Sequence, residues 1–264
     1  MRRAMTQKNI LVTGTSRGIG KAIVTALDGH RVVGHSTKGG EGRIAADLDL
    51  PGATEALWRD ALERLDGRID VLVNNAGIFE AAPIEGSAGD FTAQWERTLR
   101  VNLTASAELC RLAILHFREN GGATPQSTTL RGPRGATPQS TTLRGPRGGR
   151  IVNVASRAAY RGDSPEHWHY AASKGGMVAM AKSIARGYAA ENIFAFTVCP
   201  GFTMSEMAAD YLASRGGEGI LADIPLGRVA EAEEVAETVR WLAIEAPASA
   251  TGTVIDVNGA SFVR

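Results

Sequence analysis

The stretch Ile10-Leu11-Val12-Thr13-Gly14-Thr15-Ser16-Arg17-Gly18-Ile19-Gly20 runs an apolar, β-branched segment straight into a glycine-rich turn. A short apolar run closed by such a turn reads as a buried strand, and the residues beyond Gly18 read as the helix that follows it. Glycines at 14, 18 and 20 let the backbone approach a bulky anion at the amino end of that helix, where unpaired N–H groups and the helix dipole favour negative charge. By itself the turn would serve equally as a tight strand-to-helix connection.

Working outward, apolar β-branched runs recur at Ile10–Val12, Arg31–Val33, Arg43–Ala46, Ile69–Val73, Arg150–Val154, Ile193–Val198 and Thr253–Val257, with helix-like segments between most of them. The alternation predicts an α/β fold, a single-domain Rossmann-like doubly wound parallel sheet with helices on both faces across residues 1–264. Such sheets bind ligands at the carboxyl ends of their strands. Only Gly34 to Gly42 separates the second strand from the third, too little for the usual crossover helix of at least ~10 residues, so that helix is expected to be missing or a single turn.

An identical 13-residue unit, GATPQSTTLRGPR, occupies 122–134 and again 135–147. It is polar, rich in Gly, Pro and Thr, and without apolar periodicity, so it reads as a flexible insertion and not as a solenoid. Deleting both copies leaves three residues between the helix ending near Asn120 and the strand starting near Arg150, an ordinary loop. The insertion enters the amino end of a strand, away from the ligand crevice. Its four arginines take the formal net charge from −3 to +1, yet no aromatic platform accompanies them, and nucleic-acid binding is not the expected role.

The 264 residues are 44% hydrophobic and 22% charged, which suits one substantial core. No apolar run is long enough for a membrane span, so a cytoplasmic protein with no membrane partner is expected. Cys110 and Cys199 are too few for a disulfide framework, and the five histidines form no ligand cluster, so metal chemistry is set aside.

Tyr170 and Lys174, in the string YAASK, lie four residues apart and so one helical turn from each other. A phenol beside a fixed cation is a stronger acid. Unperturbed tyrosine titrates near ~10, and work near neutrality would need a depression of roughly 3 units, about 4 kcal/mol of preference for the phenolate. The bland reading is a surface helix carrying an ordinary Tyr and Lys.

Taken together, TGTSRGIG at 13–20, NNAG at 74–77, Asn102 in VN, Ser156 in VAS, Tyr170 and Lys174 in YAASK, and Pro200-Gly201 resemble the short-chain dehydrogenase/reductase family. The resemblance runs from near Lys8 to the carboxyl end apart from the repeat. The tail, IPLGRVAEAEEVAETVRWLA to TGTVIDVNGA, looks most like the β-ketoacyl-acyl-carrier-protein reductases within the family. The resemblance implies that Ser156 polarises the substrate oxygen, Tyr170 passes the proton, Lys174 holds the nicotinamide ribose and lowers the Tyr170 pKa, and Asn102 anchors a water in a proton relay. A hydride arriving at a carbonyl carbon generates an alkoxide, so donors aimed at that oxygen are what the chemistry needs. Asn102 alone would also serve simply to bend a helix.

For the cofactor, the resemblance assigns Gly14, Ser16, Arg17, Gly18, Ile19 and Gly20 to the pyrophosphate turn. It places Asn75, Ala76 and Gly77 by the adenosine ribose, Asp47 and Leu48 by the adenine, and Pro200, Gly201 and Thr203 by the carboxamide, with Tyr170 and Lys174 at the second ribose. NAD-specific sites usually carry an acid at the end of the second strand. This chain has Val33-Gly34-His35-Ser36-Thr37-Lys38 there, with no carboxylate, so NADP(H) is favoured over NAD(H), a 2′-phosphate being received by Arg17 and Ser36, with His35 or Lys38 as further contacts.

The substrate end is less legible. Phe202 to Met207 and the glycine-containing stretch Arg215 to Gly219 read as a lid over the crevice. Arg157, Tyr160, Arg161, His167, Trp168 and Phe202 read either as pocket lining or as interface. The expected function is hydride transfer between NADP(H) and a ketone or 3-oxoacyl thioester. The alternatives are an NAD-dependent secondary-alcohol dehydrogenase and a non-catalytic dinucleotide sensor. The family's habit of pairing long helices, here Val101–Glu119 and Trp168–Ala190, implies a homodimer or homotetramer.

Overall fold

The computed structural model describes residues 6–120, 148–204 and 217–264. Seven parallel strands form one sheet in the order β3-β2-β1-β4-β5-β6-β7, with β1 Asn9–Val12, β2 Arg31–Ser36, β3 Arg43–Ala45, β4 Val71–Asn74, β5 Gly149–Val154, β6 Ile193–Pro200 and β7 Val254–Val257. This is the doubly wound, Rossmann-like arrangement expected from the alternation of strands and helices. Strand order reverses between β1 and β4, and that switch point opens a crevice at the carboxyl ends of the strands.

Alternate residues of each central strand enter opposite cores, as a pleat of period two requires. Ile10, Val12, Val71, Val73, Val152, Val154, Phe196 and Val198 pack under α1 (Gly18–Ala26) and α8 (Ala232–Ile244). Leu11, Leu72, Ile151 and Ala195 face the other way, toward α2 (Ala53–Arg64), α4 (Ala105–Glu119) and α6 (Trp168–Tyr188). Both faces are therefore covered, which is why these strands read as continuous apolar runs. Three further helices complete the frame among the described residues: α3 (Ala88–Leu99), α5 (Ala158–Arg161) and α7 (Gly217–Ala222).

The crossover from β2 to β3 contains no helix. Gly39, Gly40 and Gly42 all take positive φ, at 68°, 127° and 67°, and these left-handed steps loop the chain back within a few residues so that β3 still pairs in parallel, Gly34 with Arg43 and Ser36 with Ala45. The expected long helix beginning at Val101 instead starts as a π-helical turn, Arg100–Thr104, that carries Asn102 inward before α4 begins. The tandem repeat at 122–147 and residues 205–216 of the expected lid lie outside the described residues. Among the described residues no helix is long and apolar enough to cross a membrane.

Candidate active site

The glycine turn is braced against the end of β4. Thr13 Oγ1 accepts the Asn75 and Ala76 N–H groups, each at 3.0 Å, and Asn75 Nδ2 donates to the Thr13 and Gly14 carbonyls, both at 3.0 Å. Space here is made by missing side chains: a Cβ on Gly20 would lie 1.9 Å from Gly14 O, and one on Gly14, whose φ is +70°, would lie 2.7 Å from the Ala76 Cα. Arg17 caps α1 in an extended conformation without a side-chain cap bond, so the opening N–H groups of that helix remain available to an anion.

Above this turn lies a cavity of about 470 Å³ lined by Gly14, Ser16 to Gly20, Ser36, Thr37, Asp47, Leu48, Asn75 to Ile78, Arg97 and Thr203, among others. A second cavity of about 220 Å³ is lined by Ser156, Tyr170, Lys174, Phe79, Pro200 and Gly201, and shares Ile19, Asn75, Gly77, Ile78 and Thr203 with the first. Every dinucleotide residue expected from the sequence except Lys38 falls on one or both walls. A larger open cleft of about 580 Å³ between α1 and α8 touches only Ser16, Arg17 and Gly18 of that set and lies apart from Tyr170.

In the second cavity Ser156 follows β5, its Oγ accepting the Ala158 N–H at 3.1 Å, and it shares the cavity wall with the Tyr170 phenol. Lys174 is 4% exposed, and its Nζ donates to the Val154 carbonyl at 3.0 Å while lying 5.8 Å from the centre of the Tyr170 ring. Asn102, fully buried in the π-helical turn, accepts the Ile78 N–H at 2.8 Å and donates to Ile78 O at 3.0 Å and Ser173 Oγ at 3.2 Å. It therefore pins the loop that follows NNAG above the crevice. A π-bulge at such a position is a frequent companion of function.

Burial dominates the electrostatics of the Tyr170–Lys174 pair. Burial pushes the Tyr170 phenol up to about 12, against the opposing hydrogen bond with Ser156, and pushes Lys174 down to about 8. Lys174 does not make this phenol more acidic in the chain as it stands. Desolvation outweighs it, and the ammonium is turned toward a backbone carbonyl.

The expectation for His35 is corrected. It is 3% exposed, and Gly14 N–H donates to its Nδ1 at 3.2 Å, which leaves the ring proton on Nε2 to donate to Ala46 O at 2.9 Å. With both nitrogens engaged, it ties the glycine turn to the end of β3 and is not free to grasp a phosphate. Ser36 Oγ likewise donates to Gly39 O, at 3.0 Å. Lys38 is exposed and does not line the cavity, whereas Thr37, which the sequence left out, does. Arg17 is exposed at the cavity wall.

On the substrate side, Arg157 and Arg161 both pair with Asp223, and Tyr160 stacks on Phe262 at 5.7 Å. These three belong to the seam beside β7 and are absent from the lining of the Tyr170 cavity. His167 stacks on Phe79, with ring centres 3.9 Å apart, and Phe79 meets the Tyr170 ring edge-on at 4.8 Å. Phe79 carries no sequence signal beyond following NNAG, and its place becomes visible only once the loop folds over α6.

Residues 8–124 match the family model described as short chain dehydrogenase, and residues 127–260 match that described as Enoyl-(Acyl carrier protein) reductase. Among curated proteins, the chain is 31% identical to the 3-oxoacyl-[acyl-carrier-protein] reductase FabG of Haemophilus influenzae, covering 98% of this chain and 100% of that protein. It is 34% identical to Nodulation protein G of a Rhizobium species, covering 97% of each. It is 30% identical to the acetoacetyl-CoA reductase of Rhizobium meliloti, covering 96% of this chain and 97% of that one. A crystal structure from Agrobacterium tumefaciens, provisionally named a gluconate dehydrogenase, superposes with a TM-score of 0.79 at 23% identity over 97% of this chain and 96% of that one, a likeness of fold.

Proposed function

The chain belongs to the short-chain dehydrogenase/reductase family, and from that premise we propose that this oxidoreductase reduces a ketone or 3-oxoacyl thioester with NADPH, using Tyr170 as proton donor. One observation carries the reading. Ser156, Tyr170 and Lys174 line one cavity, and that cavity shares Ile19, Asn75, Gly77, Ile78 and Thr203 with the one above the glycine turn.

The residues present fit a dinucleotide. The open amino end of α1 and the glycines at 14, 18 and 20 would take the pyrophosphate, Asp47 and Leu48 the adenine, Asn75 to Gly77 the adjoining ribose, and Pro200, Gly201 and Thr203 the carboxamide end. When bound, the reduced nicotinamide supplies the hydride to the carbonyl carbon. Ser156 donates a hydrogen bond to the carbonyl oxygen and stabilises the charge that develops there. Tyr170 then gives that oxygen its proton. A phenol held up to about 12 stays protonated at neutral pH, so it is loaded for donation to an alkoxide, which is far more basic, and this favours the reducing direction. Lys174 would meet the ribose hydroxyls, and Asn102 would hold the adjoining loop and a relay water.

NADPH is preferred on charge: no carboxylate ends β2, and exposed Arg17 stands with Thr37 where a 2′-phosphate would sit. The names of the FabG and acetoacetyl-CoA reductase relatives support a 3-oxoacyl substrate. The test is NADPH oxidation against a panel of short β-ketoesters, acetoacetyl-CoA and simple ketones. Consumption with at least one class supports the reading, and cofactor binding without consumption across the panel contradicts it.

A further inference from the structure

Phe79 is 56% exposed, yet both its backbone loop and its ring have fixed partners. Its loop is tied at three points: Asn102 of the π-helical turn grips the Ile78 backbone, and at the amino end of α6 His169 Nε2 contacts Glu80 O at 2.9 Å and Ala82 N–H donates to Glu166 O at 2.8 Å. The ring itself lies flat on His167, with an interplanar angle of 6°, and stands at 86° to Tyr170. His167 is fixed in turn by Ser164 Oγ, 2.7 Å from its Nδ1.

Ligand cavities are lined predominantly by apolar and aromatic side chains, and Phe79 is the aromatic ring that this one presents beside Tyr170. Among the described residues lining this cavity Lys174 is the only charged one, and its ammonium is turned to Val154 O. The described part of the wall therefore presents no free cation for a carboxylate next to the reacting carbonyl and no anion for an amine. What it does offer, beside the phenol, is a rigid flat ring with a preset orientation, which favours another flat ring over a flexible chain because little freedom is lost on contact.

We propose that the Phe79–His167 stack is the specificity wall of the site and selects uncharged carbonyl compounds whose carbonyl is attached to a flat unsaturated group, aryl or conjugated ketones, over saturated ones of equal size. The inference rests on the reductase reading of the same site.

The experiment compares kcat/KM for acetophenone and for cyclohexyl methyl ketone, with NADPH, in the full-length protein and in Phe79→Leu, Phe79→Tyr and His167→Ala. The ratio of the two ketones is the readout, so a variant of reduced overall activity still answers. The wild type prefers acetophenone. Phe79→Leu lowers the ratio about 2- to 12-fold, equivalent to the ~0.5–1.5 kcal/mol of one aromatic contact. Phe79→Tyr keeps the ratio, and His167→Ala lowers it by freeing the ring. Turnover of both ketones with no aryl preference, or a ratio unchanged by Phe79→Leu, overturns the proposal and leaves the reductase reading standing. Turnover of neither ketone beside consumption of a β-ketoester or acetoacetyl-CoA overturns the proposal alone, and no consumption across the whole panel overturns both.

Discussion

Lys174 lies one helical turn beyond Tyr170 on α6, yet its ammonium donates to the Val154 carbonyl, 3.0 Å away, and not to the phenol. That geometry gives Lys174 a pKa of about 8 through burial, below the ordinary 10.5. Its charge is then lost as pH rises through about 8, and kcat/KM for ketone reduction falls over that range. In Lys174→Arg the fall disappears from that window, because a guanidinium does not titrate there. A flat wild-type profile between pH 7 and 9 would contradict this.

The same burial costs stability. A pKa lowered from 10.5 to about 8 corresponds to ~3 kcal/mol against the charged form in the fold, offset by roughly 1 kcal/mol for the bond to Val154. Since the unfolded chain binds the proton more tightly, stability from this group rises between pH 8 and 10.5. Tyr170, raised from 10 to about 12, acts oppositely, and its contribution is lost as pH climbs from 10 toward 12. Lys174→Met is expected to raise the Tm by a few degrees at pH 7 while lowering activity, measured by calorimetry beside an NADPH-oxidation assay. An unchanged or lower Tm would count against a costly buried charge.

His35 is held neutral between Gly14 and Ala46, and burial lowers its pKa below 6.5 despite the nearby Asp47 carboxylate. Below about 6.5 the unfolded chain takes up a proton that the fold refuses. Stability is therefore full above that pH and falls as pH drops toward the folded pKa. His116 and His169, also lowered by burial, add in the same sense. The urea midpoint should fall between pH 7 and 5.5, less steeply in His35→Gln. A midpoint constant across that range would oppose the tautomer assigned here.

Gly20→Ala would put a methyl group 1.9 Å from Gly14 O, in rigid backbone. The turn must open, and NADPH affinity by fluorescence titration should weaken at least about tenfold, since a ~1.4 kcal/mol loss suffices. Native affinity in that variant would show that the turn does not hold the pyrophosphate.

Arg17→Ala tests the cofactor choice. One charge-assisted bond at ~1.5 kcal/mol predicts about a tenfold fall in the NADPH-over-NADH ratio of kcat/KM. No change would remove Arg17 from the 2′-phosphate site.

Much of this was legible before the fold was seen, for identifiable reasons. Strands buried on both faces announce themselves as apolar runs, and residue counting sufficed to predict that no helix joins β2 to β3. The positive-φ glycines at 39, 40 and 42 are what make that connection possible. The ties through Thr13 and His35 were not legible, because they depend on the register that sets Val12 of β1 beside Gly34 of β2. Phe79 was missed because its partner, His167, is 88 residues away in sequence and meets it only through a stack. The burial of Tyr170 and Lys174 was not legible: helical spacing locates two side chains on one face, but it does not say where the longer one points or how much water both have lost.

The account depends most on Tyr170 as the proton donor, and kcat for Tyr170→Phe, measured beside its NADPH dissociation constant, tests this directly. The account predicts a loss of at least about 100-fold in kcat with NADPH binding retained. Turnover within a few-fold of wild type would contradict it.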